Sequence, residues 1–499
     1  MSFCSRRNLN GAIRLAYVVS GFAVIGIVAI LLFFSFWAKS PDLFNNGYSV
    51  GAIYYTWYPK NFKQGYLRAR IKPAQTPVLG IYDSMDTSVA ERHIAWASRY
   101  GIDFFSIGWW PWRDEQNRVI KDTFLKAKNI DDIKFSIFYE TWSLNFDRKT
   151  GSTIFDDKSE EKMIADFVKI ADLFFDHPSY LKIDGRPVVY LYLTRTLYGS
   201  YKQAFLKLRR ELKTRGHDIF LIADEVFWGV VPSEGFGKPV PNPEKVHNNP
   251  YLTPEPQYER IKIFDAITSY NMYESGSKGF KGYGSKSSFF HEVGAKYKEY
   301  IKVANGMAAF VPGIIPGYND RGVRSGENHF AIPRRYAPDL PEGSFFAEAF
   351  NQLAFPFMDP RLNMVMITSW NEWNEDTSIE PLANAEATSS DVSDDKFFTE
   401  GYLYEGYGTK YLEVIRDKVV AVAGRVTDVA GDGVADVAVC GWKKNKKVTC
   451  DKTDHAGYYT LSRLHIKTGV AEVGIDGRES RLTVTVDKEK SATGVDFKI

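Results

Sequence analysis

The sequence predicts an α/β protein with a (β/α)8 TIM barrel, a small C-terminal all-β sandwich and one N-terminal transmembrane helix. Short apolar runs alternate with amphipathic helical patterns from Val50 onward, which indicates repeated βα units and a parallel sheet. Short alternating strands with Gly and Asp turns then replace that pattern. The predicted segments are a cytoplasmic tail (1–14), a transmembrane anchor (15–37), a linker (38–49), the barrel (50–418) and the sandwich (419–499).

The N-terminal segment 15–37 is charge-free and strongly apolar. With a rise of about 1.5 Å per residue, it is long enough to cross a hydrocarbon core of about 30 Å as one helix. A cleaved signal peptide is the alternative, but its apolar region usually has only about 7 to 15 residues. Because Arg6, Arg7 and Arg14 precede the span, we expect a cytoplasmic N-terminus. The barrel is then extracytoplasmic, in a periplasm, at a cell surface or in a Golgi-type lumen.

Composition excludes some partners and favours others. A net charge of +2 over 499 residues predicts no nucleic-acid partner. Aromatic residues make up 15% of the chain, including 11 Trp and 29 Tyr, which favours a sugar-binding cleft. Cys4 falls on the reducing side of the membrane, whereas Cys440 and Cys450 fall on the oxidising side, where they could close a hairpin as a disulfide.

The barrel prediction depends on eight strand candidates and the helices between them. Two intervening helices have apolar residues at spacings of three and four, beginning at Met163 and at Tyr201. No Gly-rich phosphate turn follows the first strand, which disfavours a doubly wound sheet. The predicted strands are 52–56, 104–108, 135–138, 188–193, 219–223, 266–270, 308–311 and 364–368.

Residues just after the strands should build the active site of such a barrel. Aromatic and acidic residues follow nearly every predicted strand. Single aromatic residues at these positions commonly cap a barrel core, but their recurrence favours one aromatic-walled, acid-lined mouth for a glycan substrate. The predicted substrate-binding residues are Tyr54, Tyr55, Trp109, Trp110, Glu140, Glu225, Tyr270, Tyr318, Asn371 and Trp373.

Two glutamates after the last strand are the catalytic candidates, Glu372 and Glu375. Cleavage of a glycosidic bond needs one carboxyl group that protonates the leaving oxygen and one that acts as base or nucleophile. Strand residues three apart point to opposite faces, so both reach one pocket only if the chain turns at Trp373 and Asn374. A solvated acidic loop is the alternative, which the interleaved tryptophans disfavour.

Metal and cofactor sites have no support in the sequence. The histidines lack ligand spacings such as His-Glu-x-x-His, and no Gly-x-Ser-x-Gly motif occurs. The segment that begins at Asp428 resembles the start of a calcium loop, but Ala430 and Val439 occupy two of its ligand positions. We therefore expect no metal and no cofactor.

Five motifs in the barrel region occur together in a known family. They are Tyr54-Tyr55-Thr-Trp57-Tyr58, His177-Pro-Ser-Tyr180, Phe264-Asp-Ala-Ile267, Val311-Pro-Gly-Ile-Ile-Pro-Gly-Tyr318 and, most specifically, Thr368-Ser-Trp-Asn-Glu-Trp-Asn-Glu-Asp-Thr-Ser-Ile-Glu380. With them the chain resembles glycoside hydrolase family 99, the endo-α-mannosidases, and the related WbsX-like glycan-processing proteins. The likeness extends over about residues 50 to 418.

The resemblance implies a retaining endo-glycosidase that acts on α-mannoside-type bonds. By the family's motif, Glu372 is the base on the substrate's own 2-hydroxyl, giving a 1,2-anhydro sugar, and Glu375 protonates the leaving oxygen. Asn374 stands where the family has His, and Glu140 lies two positions beyond the family's strand-three acid. These departures leave the substrate sugar open. The alternative from another functional class is a non-hydrolytic glycan-binding or surface-polysaccharide assembly protein.

The C-terminal segment is predicted to contain seven strands in a β-sandwich. Gly424-Arg-Val426 and Thr453-Asp-His-Ala-Gly-Tyr458 resemble the carboxypeptidase regulatory-like modules, which implies an accessory or spacer rather than a catalytic role. The predicted strands are 423–427, 434–439, 447–450, 458–461, 470–474, 481–486 and 495–499.

Overall fold

The structure is a computed structural model that describes residues 47–147, 152–226, 256–272, 286–324, 331–393 and 398–499. The predicted transmembrane span, residues 15–37, and the cytoplasmic tail lie outside these described residues. Within the described ranges, no helix has both the length and the apolar character needed to cross a membrane.

A parallel sheet of eight main strands forms the barrel, as predicted, with bounds that differ from the prediction by up to three residues. Its order is β7-β6-β5-β4-β3-β2-β1-β8. The chain after β7 continues through Pro312 into Gly313–Ile314, which pairs with β8 and so bridges the last gap. The strands are β1 (Ser49–Tyr54), β2 (Phe104–Trp109), β3 (Lys134–Tyr139), β4 (Arg186–Leu191), β5 (Phe220–Asp224), β6 (Ala266–Thr268), β7 (Ala309–Val311) and β8 (Met364–Ile367).

Helices between the strands cover the outside of the barrel. Asp86 caps the first helix by accepting a hydrogen bond from the Ser88 amide, and Gly101 ends it with a φ of +83°. Asp156 caps the third helix in the same way through the Ser159 amide, at 2.8 Å. The helices are α1 (Thr87–Tyr100), α2 (Asp114–Asp122), α3 (Asp157–Ile170), α4 (Tyr201–Thr214), α5 (Lys286–Ala304), α6 (Ser344–Ala349) and α7 (Lys410–Val419).

Shorter elements extend these helices and the connecting loops. Short π-helical segments follow α3 at Ala171–Phe175 and α6 at Phe350–Ala354. The single-turn helices are Phe62–Gly65, Leu67–Arg70, Phe124–Lys126, Ile130–Asp132, Thr141–Ser143, Thr194–Thr196, Tyr258–Ile261 and Phe355–Phe357. The small strand groups are Phe146–Asp147 with Ser152–Phe155 and Leu197–Gly199, Lys182–Ile183 with β4, Tyr318–Asn319 with Ala331–Ile332, and Leu382–Thr388 with Tyr404–Gly408.

Alternate side chains of each barrel strand face the helices and the barrel interior. On β2, Phe105, Ile107 and Trp109 belong to the core between sheet and helices. Ser106 lies on the other face, where its hydroxyl accepts a hydrogen bond of 3.0 Å from Ser136 on β3. Because the period is two, adjacent residues at a strand end cannot both reach the barrel mouth.

The C-terminal region is all-β, as predicted, and consists of two sheets with a shared apolar core. The predicted strand at 434–439 is wrong in position, because Asp436 adopts a φ of +60° in a turn and the strand starts at Ala438. The sheets have the orders β12-β9-β15 and β11-β10-β13-β14. The strands are β9 (Val420–Thr427), β10 (Ala438–Lys443), β11 (Lys446–Lys452), β12 (Tyr458–Ser462), β13 (Gly469–Ile475), β14 (Arg481–Val486) and β15 (Phe497–Lys498).

A disulfide between Cys440 and Cys450 joins β10 to β11, where the two residues are directly opposite partners. The predicted possibility that these two cysteines close a hairpin as a disulfide is therefore confirmed. The likeness of this region to carboxypeptidase regulatory-like modules stays a prediction.

Candidate active site

The segment after β8 folds into a buried turn that carries Glu372 and Glu375. The Ser369 amide donates to the Thr377 carbonyl at 2.9 Å, and the Thr377 amide donates to the Glu372 carbonyl at 3.2 Å. The Glu372 amide donates in turn to the Ser369 hydroxyl at 2.8 Å. The chain therefore leaves the strand direction, with Asp376 at a φ of +47°, and the two glutamates are no longer held on opposite faces.

The two carboxyl groups have different surroundings. Glu372 is buried, and its Oε1 accepts a hydrogen bond of 3.0 Å from the Asn374 amide. Burial, and then the charge of Glu375, raise the pKa of Glu372 to about 8, while the Asn374 amide and the Arg324 charge act in the opposite direction. Glu375 forms an ion pair with Arg324, with 2.8 Å between Oε1 and Nη1. The two carboxyls thus interact electrostatically, although one is buried and the other is paired with a guanidinium.

Tyrosines surround this pair. The hydroxyl groups of Tyr55 and Tyr270 are 2.5 Å apart, and the Tyr55 ring stacks on Trp57 at 4.1 Å between centroids. Burial raises the pKa of Tyr55 well above its ordinary value, and the charges of Glu372 and Glu375 raise it further, so its hydroxyl lies near both carboxyls. The predicted residues Tyr55 and Tyr270 therefore border the acid pair.

Tyr192 lies at the same mouth, although it is not among the predicted site residues. Its ring packs on Tyr270 at 5.0 Å, and burial followed by the charge of Glu140 raises its pKa, with a smaller contribution from Glu375. The predicted strand at 188–193 included this residue, whereas β4 ends at Leu191. Tyr192 could have been predicted from strand alternation, which places it on the same face as Tyr190.

Glu140 is the third carboxyl group at the mouth. It is 3% exposed, and burial raises its pKa to about 8, with the charge of Asp224 adding to the effect. The Trp142 amide and Arg113 oppose this rise. Asp224 also accepts a hydrogen bond of 2.9 Å from the Tyr270 amide, so it helps to hold that tyrosine. The structure brings the predicted Glu140 to the site.

Trp110 and Tyr318 complete the set of predicted residues found around the acid pair. Trp110 is half-buried and packs against Trp57 at 5.6 Å. The Tyr318 hydroxyl lies 3.5 Å from Arg324 Nη1. Burial raises the pKa of Tyr318 above its ordinary value, and the charges of Asp320 and Glu375 raise it further. Trp110 is thus linked to Tyr55 through Trp57, and Tyr318 is linked to Glu375 through Arg324.

The predictions for Tyr54 and Trp109 are wrong, because both side chains point away from the mouth into the outer core. The Tyr54 hydroxyl lies 3.1 Å from His93 Nδ1 on helix α1. Trp109 packs edge-on against Phe174 at 5.8 Å, and the Lys169 ammonium lies 5.5 Å from its ring. The side chains of their neighbours Tyr55 and Trp110 point inward, toward the barrel mouth.

The prediction for Glu225 fails for the same reason. Its carboxyl accepts a hydrogen bond of 2.5 Å from Arg260 and one of 2.8 Å from the Thr194 hydroxyl, on the outer side of the sheet. Asp224, the preceding residue, is the one that faces inward at the end of β5. Glu225 is therefore half of a buried ion pair rather than a mouth residue.

Asn371 and Trp373 lie behind the site rather than in it. The Asn371 side chain pairs with the Tyr55 backbone through bonds of 2.8 Å and 2.9 Å. Trp373 is fully buried, donates to Glu380 at 3.2 Å and packs against Tyr66 at 5.5 Å. Both predictions of direct sugar contact are therefore wrong, and these residues position the site.

A buried network of two arginines and two acids supports the turn from behind. Arg68 contacts Asp376 at 2.7 Å and Glu342 at 2.5 Å, and Arg334 contacts the same two acids at 3.1 Å and 3.2 Å. All four side chains are at most 1% exposed. Because Asp376 follows Glu375 directly, this charge-balanced network fixes the position of Glu375.

The described part of the chain contains no group of three or more His, Cys, Asp or Glu residues arranged to hold a metal ion. The described side chains at the mouth present carboxyl, phenol and guanidinium groups. Two interacting carboxyls in different surroundings, with aromatic rings around them, can perform general acid and base catalysis on a sugar.

Comparisons with known proteins find similarity to endo-α-mannosidases. Glycoprotein endo-alpha-1,2-mannosidase of Xenopus laevis is 23% identical over 316 residues, which cover 61% of this chain and 57% of that protein. The Mus musculus protein of the same name is 22% identical over 373 residues, which cover 67% and 68%. The predicted resemblance to endo-α-mannosidases is thus confirmed, although the chain spans only 57% of the first relative.

A solved structure and a family model extend this result. A glycoside hydrolase-like protein superimposes with a TM-score of 0.52 at 20% identity over 76% of this chain and 96% of the other, a likeness that concerns the fold. The family model described as glycosyltransferase WbsX matches residues 55–388, which is more than half of the sequence and includes the acid pair. This chain therefore belongs to the WbsX family.

Proposed function

We propose that this protein is a retaining endo-glycosidase that hydrolyses α-mannoside-type or similar glycosidic bonds. Glu372 is the base on the substrate's 2-hydroxyl, and Glu375 is the general acid and base at the leaving oxygen. The observation that carries the proposal is the buried turn after β8, which brings Glu372 and Glu375 to one mouth beside Arg324, Tyr55 and Tyr270. The endo-α-mannosidase relatives support the same activity.

The proposed reaction has two steps. Glu372 removes the proton of the 2-hydroxyl, whose oxygen attacks C1 while Glu375 protonates the departing oxygen. The resulting 1,2-anhydro sugar is then opened at C1 by water, with Glu375 taking the water's proton and Glu372 returning a proton to O2. Two inversions at C1 give net retention, and neither carboxylate bonds to the sugar, unlike the usual retaining scheme.

The remaining mouth residues serve binding in this proposal. The faces of Trp110 and Tyr270 stack on sugar rings, each contributing about 0.5 to 1.5 kcal/mol beyond area burial. Burial raises the pKa of Glu140 to about 8, so at neutral pH this residue is protonated and donates a hydrogen bond to a glycan oxygen. Tyr55, Tyr192 and Tyr318 supply further hydroxyl groups around the bond to be cleaved.

The test uses the full-length protein in detergent with a panel of α-mannans and capsular glycans. We expect release of oligosaccharides that retain the α configuration when first formed, as followed by NMR of the anomeric proton. Glu375→Gln should abolish release, whereas Glu386→Gln, on the exposed strand Leu382–Thr388, should not. Wild-type rates in Glu375→Gln on a cleaved glycan would refute the acid assignment.

A second function is favoured by the family's description as a glycosyltransferase. The same mouth would then bind a glycan for surface-polysaccharide assembly without hydrolysing it. Tight binding to one member of the glycan panel, with no released oligosaccharide, supports this alternative. Release of oligosaccharide excludes it.

The proposed location is extracytoplasmic, with residues 15–37 as a single membrane anchor. The disulfide between Cys440 and Cys450 supports this location, because such bonds persist in oxidising compartments. In intact cells or sealed vesicles, a C-terminal epitope tag should be accessible from the extracytoplasmic side only. Accessibility from the cytoplasmic side would refute the proposed orientation.

A further inference from the structure

Arg324 lies between two carboxylates at the edge of the acid pair. Its Nη1 is 2.8 Å from Glu375 Oε1 and 2.8 Å from Asp320 Oδ2. The Asp320 side chain is 1% exposed, whereas those of Glu375 and Arg324 are 15% and 26% exposed. Arg324 therefore holds one buried and one accessible carboxylate with the same nitrogen.

This arrangement conflicts with the proton that the proposed reaction needs on Glu375. A carboxyl that accepts a hydrogen bond from a guanidinium is stabilised in its ionised form. Glu372 instead is buried, and this burial outweighs the opposing hydrogen bond from the Asn374 amide, so a single proton shared by the pair favours Glu372. The unliganded site therefore has its proton on the residue that must act as base.

We propose that Arg324 is a positioning residue that keeps Glu375 ionised, and the pair's proton on Glu372, until a glycan displaces Arg324 from Glu375. This inference rests on the proposed function. When the glycan binds, the proton leaves the Glu372 carboxyl and joins the Glu375 carboxylate, so the total charge of the pair does not change. Glu372 becomes the base and Glu375 the acid, as the reaction requires.

Asp320 makes this displacement inexpensive. When Arg324 gives up Glu375, its charge remains compensated by the buried Asp320 carboxylate, and only the accessible contact is lost. The incoming leaving-group oxygen takes the place of Nη1 at Glu375 Oε1. Among the described residues, the ionisable groups that face the pair are Arg324, Asp320, Tyr318, Tyr55, Tyr58, Tyr192 and Tyr270.

The pH dependence of kcat/KM tests the proposal, because it reports proton binding by the free enzyme. In Arg324→Gln, loss of the positive charge should raise both apparent pKa values of the pair, so the whole bell-shaped profile moves to higher pH by about one unit or more. Arg324→Lys, which keeps the charge, should restore the wild-type position. Arg321→Gln, whose arginine pairs with Glu400 instead, should leave the profile in place.

A lower but unshifted profile in Arg324→Gln would overturn the proposal, because a merely structural residue changes the height and not the position. A shift of the profile to lower pH would overturn it as well, since removal of a cation cannot stabilise a carboxylate. The split between kcat and KM adds a second check: Arg324→Gln should lower KM, because the substrate no longer competes with the guanidinium.

A readout without hydrolysis separates this inference from the proposed function. In protein labelled with ¹³C at glutamate carboxyls, isotope-edited infrared spectra at neutral pH should lose one protonated-carboxyl signal in Glu372→Gln. In Glu375→Gln the signal should disappear at lower pH than in the wild type, because the charge of Glu375 no longer raises the pKa of Glu372. In Arg324→Gln it should disappear only at higher pH. If these results appear without any glycan cleavage, the proposed hydrolysis is wrong and the proton placement stands. If Glu372→Gln keeps the signal, the proton placement is wrong.

Discussion

The side-chain amide of Asn371 pairs with the backbone of Tyr55 as another strand would, accepting from its amide at 2.8 Å and donating to its carbonyl at 2.9 Å. This contact continues the pairing of β1 with β8 beyond the ends of both strands. It joins the residue before Glu372 to the tyrosine that lies beside both carboxyls. The acid pair and its phenolic neighbour are therefore positioned as one unit.

We expect Asn371→Ala to reduce kcat/KM more than its cost in stability explains. The loss leaves two buried backbone groups of Tyr55 without partners, which costs about 1 to 3 kcal/mol in the free energy of unfolding. Asn129→Ala is the matched control, because its buried amide donates to the Glu91 carbonyl at 3.0 Å away from the site. If both variants lose equal stability and equal activity, the positioning role of Asn371 is refuted.

The network behind the turn gives a prediction about stability. Arg68→Met leaves Asp376 and Glu342 with one buried cation instead of two, so we expect a loss of about 3 to 5 kcal/mol in the free energy of unfolding. Arg70→Met, which removes a partly exposed cation 4.9 Å from the Phe398 ring, should cost much less. Urea denaturation midpoints compare the two, and equal midpoints would contradict a structural role for this network.

These two features differ in how far the sequence predicted them. The acid pair and the eight strands follow from local patterns, since an apolar run that ends in acids and aromatics indicates a barrel strand end. The network cannot be predicted that way, because Arg68 is far in the chain from Glu342 and Asp376, and these residues meet only after folding. Arg324 gives no signal for the same reason.

The errors at the barrel mouth have one physical cause. Alternation allows only one of each adjacent pair to face inward, yet Tyr54 with Tyr55 and Trp109 with Trp110 were all predicted there. The sequence shows that inward and outward residues alternate along a strand, but it does not show which residue of each adjacent pair faces inward. The first predicted strand, 52–56, differs from the observed Ser49–Tyr54, and the phase of a strand is set by packing against its neighbours.

Stability should fall as pH rises, because two buried glutamates hold protons in the folded state. Burial raises the pKa values of Glu372 and Glu140 to about 8, above the ordinary value of about 4.3 in an unfolded chain. Each glutamate contributes its full stabilisation at pH values below its pKa in the unfolded chain. It loses this stabilisation as the pH rises through its pKa in the folded protein. The predicted window is therefore about pH 4.5 to 8, with a slope of up to about 1.4 kcal/mol per pH unit for each group.

Chemical unfolding at several pH values tests this slope. We expect Glu372→Gln and Glu140→Gln each to flatten it, while Glu386→Gln on the surface leaves it unchanged. Some slope should remain in both variants, because burial also raises the pKa of Asp103 to about 7 and that of Asp451 to about 6. An unchanged slope in both glutamate variants would show that neither carboxyl is protonated in the folded protein.

The adjacent pair Tyr54 and Tyr55 offers the sharpest test of which strand-end residues serve the site. Tyr55→Phe removes a hydroxyl 2.5 Å from that of Tyr270 and close to the acid pair, so we expect kcat/KM to fall about tenfold, or about 1.4 kcal/mol. Tyr54→Phe removes the outward bond to His93, so we expect about 1 to 3 kcal/mol of lost stability with kcat/KM unchanged. The two variants make the same chemical change at neighbouring positions, and only the direction of the side chain differs. Equal effects on kcat/KM would contradict the placement of Tyr55 at the mouth and Tyr54 in the outer core.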